Sequence, residues 1–204
     1  MWNLSALAGF ATGLFLSGLP ALLAQPPASQ ATYHILAEKN VRIPMRDGVT
    51  LAAEVYRPDA EGRFPALVQV SYYVTGAGQA DFFVPRGYVC VLANSRGRGG
   101  SEGEWDPYVN EPQDGFDVQQ WVGQQPWCNG RVGTFGQSYN AFTQIMSAPL
   151  ASPYLKCMVP VEGQQTFFGH QYNDGVLQLN VVFTHSLLAT GATGLQGPIP
   201  IRVP

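Results

Sequence analysis

The run Gly133-Thr134-Phe135-Gly136-Gln137-Ser138-Tyr139-Asn140-Ala141 constrains this chain more than any other segment. Upstream, Arg131-Val132-Gly133-Thr134-Phe135 is β-branched and apolar, the pattern of a buried strand. Downstream, Ala141 to Ala148 is compatible with a helix. The Gly136-x-Ser138 turn must join the two within a few residues. A strand, a sharp turn carrying a serine and then a helix lifts a hydroxyl off a sheet edge, beside helix N–H groups that favour negative charge. The pattern predicts Ser138 as an acyl-accepting nucleophile. The plainer alternative is a polar turn with no chemistry.

The rest of the chain supplies a frame for such a turn. Val41-Arg42-Ile43-Pro44-Met45 and Val49 to Tyr56 flank Arg46-Asp47-Gly48 and read as a hairpin. Pro44 lacks an N–H, which places the first of these strands at an edge. Ala66 to Val70 and Tyr88 to Ala93 are continuous apolar runs, suited to strands covered on both faces. Ala80 to Arg86 reads as a short helix between them. Asp114 to Gln124 is a stronger helix, with Phe116, Val118, Trp121 and Val122 at helical spacing and acidic residues early. Cys157 to Val161 is a further strand. Strands alternating with helices predict an α/β domain with a mostly parallel sheet flanked by helices. From about residue 165 the periodicity fades, and Gly191 to Pro204 reads as unstructured.

Composition narrows the function. Only Lys39 and Lys156 are lysines, and the formal net charge is −3. No basic face points to nucleic acid. The three cysteines, Cys90, Cys128 and Cys157, cannot all pair internally. Cys90 and Cys157 sit in apolar strand runs and are expected as buried, small apolar residues. No Cys-x-x-Cys or histidine cluster suggests a metal site, and no cofactor is implied. Leu4 to Ala24 is apolar or small almost throughout, so residues 1–24 are expected as a signal peptide and 25–38 as a linker to a domain over 39–204. That implies a secreted or periplasmic location. No Lys or Arg precedes the apolar run, so an uncleaved membrane anchor remains the alternative.

Five collinear motifs then carry a resemblance. They are Pro44-Met45-Arg46-Asp47-Gly48-Val49-Thr50-Leu51, and Arg96-Gly97-Arg98-Gly99-Gly100-Ser101-Glu102-Gly103. Glu111 with Asp114-Gly115-Phe116-Asp117 follows, then Trp121 with Gln125-Pro126-Trp127-Cys128-Asn129-Gly130. The last is Val132-Gly133-x-x-Gly136-Gln137-Ser138-Tyr139. In this order they resemble the cocaine esterase / Xaa-Pro dipeptidyl-peptidase (CocE/NonD-type) family of α/β-hydrolases. Two positions depart from the family's pattern: Asn94 stands where Asp is frequent, and Ala141 where Gly is frequent.

The resemblance implies a serine hydrolase acting on acyl esters, amides or short peptides through an acyl-enzyme on Ser138. The residue after the nucleophile, Tyr139, supplies one oxyanion donor through its backbone N–H. By resemblance the other is a tyrosine hydroxyl after the third strand, Tyr73, with Tyr72 as the alternative. The arginines of the 96–99 loop are expected to hold carboxylates such as Glu102 or Asp106, and Trp121 and Trp127 to pack.

The base and its orienting acid follow the serine in this fold, in the order Asp or Glu and then His. His170 precedes Asp174, and no strand pattern separates Asp174 from His185, so these read as local polar contacts. The triad acid and histidine, later strands, helical cap and C-terminal jelly roll are all expected beyond Pro204. The chain is therefore expected to be an N-terminal part of a larger hydrolase, weakly active or inactive by itself. A non-catalytic remnant that binds a partner is the competing expectation.

Overall fold

The computed structural model describes residues 29–73, 77–163 and 167–183. The chain divides at residue 30, and all elements below belong to the unit that starts at Ala31. The expected signal peptide and the Gly191 to Pro204 segment lie outside the described residues. Among the described residues no helix is long and apolar enough to cross a membrane.

The frame is a six-stranded sheet in the order β1-β2-β4-β3-β5-β6. Its strands are β1 (Ile35–Pro44), β2 (Thr50–Pro58), β3 (Phe64–Ser71), β4 (Val89–Asn94), β5 (Cys128–Gln137) and β6 (Leu155–Val161). β1 and β2 form the expected hairpin, closed at its tight end by the Met45 N–H donating to the Val49 carbonyl at 2.8 Å. β2 runs antiparallel to β4; the remaining pairings are parallel. β1 is an edge strand, as Pro44 requires. It begins at Ile35, inside the segment read as a linker. A register shift between Glu38 and Val41, with Asn40 at φ 57°, breaks the alternation by which a strand is recognised in sequence.

The two-faced apolar runs place their side chains on both sides of the sheet. Val68 and Val70 of β3 and Val89 and Val91 of β4 join Ile43, Leu51, Val55 and Val132 beneath Val118 and Val122 of α2 (Glu111–Gln124). Cys90 and Leu92 face the other way, toward Ala80 and Val84, in and after α1 (Gly78–Phe83). Burial pushes the Cys90 thiol up to about 12, so it behaves as an apolar side chain. Trp121 and Trp127 meet edge to face at 6.3 Å and pack on the larger cluster, as expected. Gly123 is where α2 meets the Tyr154 ring: a Cβ there would lie 2.1 Å from it.

Cys157 departs from its expected burial; it is exposed. Among the described residues β6 pairs only with β5, and nothing covers the face that carries Cys157, Val159 (54% exposed) and Val161 (46% exposed). The apolar run is a strand, but burial requires a covering element, which a strand pattern does not contain. Beyond β6 lie α4 (Phe167–Gln171) and a two-stranded ribbon, β7 (Tyr172–Asn173) and β8 (Val176–Leu177).

Candidate active site

β5 ends at Gln137 and α3 (Tyr139–Ser147) starts two residues later, so Ser138 alone makes the turn. It does so at φ 58°, ψ −121°, a conformation that an L-residue adopts only under strain. The turn is held from both sides. The Ser138 N–H donates to the Val161 carbonyl at 2.9 Å, and the Ser138 carbonyl accepts from Ala141 N–H at 2.9 Å. Gly136, at φ 148°, leaves no room for a side chain: a Cβ would meet Asn140 Cβ at 2.5 Å. The small residue at Ala141 is matched by Gly163, where a Cβ would lie 2.7 Å from the Ala141 methyl. Close packing at this point therefore survives the departure at Ala141.

Helix α3 is bolted to the sheet by polar side chains. Thr143 Oγ1 donates to the Val70 carbonyl at 3.1 Å. Gln144 Oε1 accepts from Thr134 Oγ1 at 3.1 Å and from the Val159 N–H at 3.2 Å. Val70 is near the end of the strand that leads to Tyr73, so one hydroxyl links the nucleophile's helix to the segment of the second oxyanion candidate. Tyr73 and Ser138 line the same cavity of about 700 Å³, together with Leu67, Phe83, Phe135 and Val159. Tyr72 does not line it. Its ring is buried, stacked on Trp105 at 4.8 Å and 4.0 Å from the Tyr73 ring.

Tyr139 follows the nucleophile. Its side chain is buried, and its hydroxyl donates to Glu111 Oε1 and accepts from the Tyr108 N–H at 3.3 Å. Trp105 Nε1 also donates to Glu111 Oε1, at 3.3 Å. Glu111 is 3% exposed, and its Oε2 has no partner among the described residues. Burial pushes the Glu111 carboxyl above the usual carboxylate range, against the pull of the Tyr139 and Trp105 hydrogen bonds. Burial likewise raises the Tyr139, Tyr108 and Tyr72 hydroxyls, which stay protonated and able to donate.

A raised carboxyl pKa means that the folded state favours the protonated form. This contribution is fully present below the unfolded value, about 4.3, and is lost as pH rises through the folded one. Glu111→Gln is therefore expected to gain stability relative to the parent as pH rises above the unfolded value. Urea unfolding at several pH values measures the difference; a difference that shrinks with rising pH would contradict the assignment.

The 96–99 loop holds different carboxylates from those expected. Arg96 makes two hydrogen bonds to Asp114, Nε to Oδ2 and Nη2 to Oδ1, each at 2.7 Å, and one from Nη1 to Asp47 Oδ2 at 2.6 Å. These partners hold the Arg96 guanidinium above its ordinary value. Glu102 instead accepts the Thr50 N–H at 3.0 Å. Arg98 lies over the Trp105 ring at 4.4 Å. The first turn of α2 brings Asp114 beneath the loop, which outweighs closeness in sequence. Asn94 has its own reason: Nδ2 donates to the Ala52 and Gly99 carbonyls, each at 3.3 Å, which an ionised Asp could not do.

Ser138, Tyr139 and Tyr73 are thus brought together. Among the described residues, Asp174 is not joined to them. Asp174 sits exposed in the β7–β8 turn at φ 49°. His170 is in α4, and His185 lies outside the described residues. Among the described residues no hydrogen bond joins Ser138 to a histidine. Glu111 was visible only as part of a motif; nothing in its sequence position says that a helix-start acid turns inward to meet Tyr139.

Known proteins resemble this arrangement. A family model for the X-Pro dipeptidyl-peptidase (S15 family) matches residues 47–200. Cocaine esterase from Rhodococcus sp. (strain MB1 Bresler) is 40% identical over 129 residues, covering 59% of this chain. A CocE/NonD family hydrolase from Staphylococcus aureus superposes with a TM-score of 0.68 at 28% identity over 76% of the chain. An alpha-amino acid ester hydrolase superposes with a TM-score of 0.62 at 25% identity over 90% of the chain. The chain spans 22% of the cocaine esterase and 33% and 34% of the two solved structures. With a mostly parallel sheet, a serine at the strand-to-helix elbow and a family match over most of its length, this chain belongs to the X-Pro dipeptidyl-peptidase (S15) family of α/β-hydrolases.

Proposed function

We propose that the chain carries the nucleophile and oxyanion hole of a serine hydrolase that cleaves carboxylic esters or related amide and peptide bonds. The observation that carries this reading is the backbone of Ser138, strained between β5 and α3 with its side chain on the wall of a cavity. Ser138 Oγ attacks the acyl carbonyl carbon while its proton passes to a base. The oxyanion that forms accepts from the Tyr139 N–H, one of the first-turn groups without an intrahelical acceptor, and from the Tyr73 hydroxyl. The tetrahedral species collapses, the alkoxide or amine leaves with a proton, and water then releases the acid from Ser138. Two of the relatives are named for ester cleavage, which favours esters within this class.

A fluorophosphonate tests the reading, with the adduct mapped by mass spectrometry. One slowly formed adduct on Ser138 is expected. A chain that stays unlabelled, or is labelled elsewhere, overturns it. Tyr73→Phe removes a single donor and is expected to slow labelling by about 10²–10³, the usual loss for one oxyanion donor. An unchanged rate in a folded Tyr73→Phe protein would remove Tyr73 from the mechanism.

A further inference from the structure

Glu111 is a buried carboxyl that the reaction scheme leaves unused. Replacing it with an apolar residue of similar shape would avoid burying the unpartnered Oε2, so its presence calls for a reason other than stability. Its contacts supply one. Oε1 accepts two hydrogen bonds, from the Tyr139 hydroxyl and from the Trp105 indole N–H. Tyr139 is the residue whose backbone N–H faces the oxyanion. Trp105 stacks on Tyr72 at 4.8 Å with 12° between the planes, and the Tyr72 ring lies 4.0 Å from that of Tyr73. Tyr72 also meets the Tyr139 ring edge-on at 4.5 Å. One carboxyl oxygen therefore anchors both branches of an aromatic cluster, one ending at the backbone donor and the other at the hydroxyl donor. Glu111 begins α2, which packs against α3, so the anchor is part of a rigid element.

We propose that Glu111 is a positioning residue, whose hydrogen bonds to Tyr139 and Trp105 fix the spacing of the two oxyanion donors. This rests on the reading of Ser138 as the nucleophile. Displacing a reacting group by about 1 Å can cost about 10²-fold in rate. Loss of the anchor therefore shows in the bond-forming step and spares probe binding.

The test measures kinact and KI for fluorophosphonate labelling of Ser138 in the parent chain, Tyr139→Phe, Glu111→Ala and Glu111→Gln. All are compared at a temperature where circular dichroism shows them folded. Tyr139→Phe deletes only the hydroxyl and remains informative if Glu111→Ala fails to fold. Expected is a drop in kinact of about 10–100-fold for Tyr139→Phe and Glu111→Ala, with KI unchanged, on the scale of such misplacements. Glu111→Gln keeps an acceptor of the same shape and is expected to restore kinact to within about threefold, since the anchor is the hydrogen bond and not the charge. A folded Tyr139→Phe protein with the parent kinact overturns the proposal, as does a Glu111→Gln protein as slow as Glu111→Ala. A parent chain that never labels at Ser138 sinks the nucleophile reading and takes this one with it, whereas equal labelling in all four chains sinks the positioning role alone.

Discussion

Ser138→Gly is expected to abolish labelling by a fluorophosphonate and to raise the stability of the fold. At φ 58°, ψ −121° the Ser138 Cβ is held in a region that glycine enters freely. A residue held in such a region typically costs about 1–3 kcal/mol. Glycine relieves that strain but has more freedom to lose on folding, which takes back roughly 0.5–1 kcal/mol. A net gain on the order of 1 kcal/mol raises the melting temperature by about 2–4 °C for a domain of this size. Ser138→Ala is the control, because it removes the hydroxyl and keeps the Cβ. It loses labelling without the gain, so the difference between the two variants isolates the strain. Equal melting temperatures, or a lower one for Ser138→Gly, would show that the elbow is not strained. The trade of stability against a reactive geometry is common at active sites.

Arg96→Met is expected to cost the most stability. The Arg96 and Asp114 side chains are 10% and 4% exposed and joined through two hydrogen bonds. Methionine fills much of the volume and leaves the buried Asp114 carboxylate without the guanidinium that hydrogen-bonds it. Breaking a buried pair from one side typically costs about 3–5 kcal/mol, a large share of the roughly 5–15 kcal/mol that holds a domain together. Asp47 loses its partner in the same step, but its side chain is 47% exposed and it regains water. Urea unfolding reads the loss, and the double variant Arg96→Met with Asp114→Leu is expected to recover much of it. A folded Arg96→Met protein within 1 kcal/mol of the parent would mean that Asp114 protonates at little cost, leaving the loop to be held by its backbone bonds.

These two sites show what can be read at different distances along the chain. The elbow is local: a strand pattern, two small residues and a helix pattern lie within about a dozen positions. The strand-to-helix turn at Ser138 was therefore legible, as were the hairpin around Asp47-Gly48 and the edge position of β1 from Pro44. The partners of Arg96 were not. Glu102 and Asp106 are nearer in sequence than Asp114 or Asp47, yet the loop turns them away while α2 and the hairpin turn bring the distant acids in. The Glu111 anchor was hidden for the same reason, since its partners lie on a loop and on another helix.

The sequence by itself determined the alternation of strands and helices, the serine at the elbow and the family, because each is written in neighbouring residues or in motifs whose order survives folding. The tertiary structure alone decided which carboxylates meet which arginines, that Cys157 is exposed, that Tyr73 shares a cavity wall with Ser138 while Tyr72 is buried against Trp105, and that Glu111 turns inward. Those outcomes depend on which elements pack against each other and how closely. That is settled by burial and hydrogen bonding across the whole sheet, not by the spacing of residues along one strand or helix.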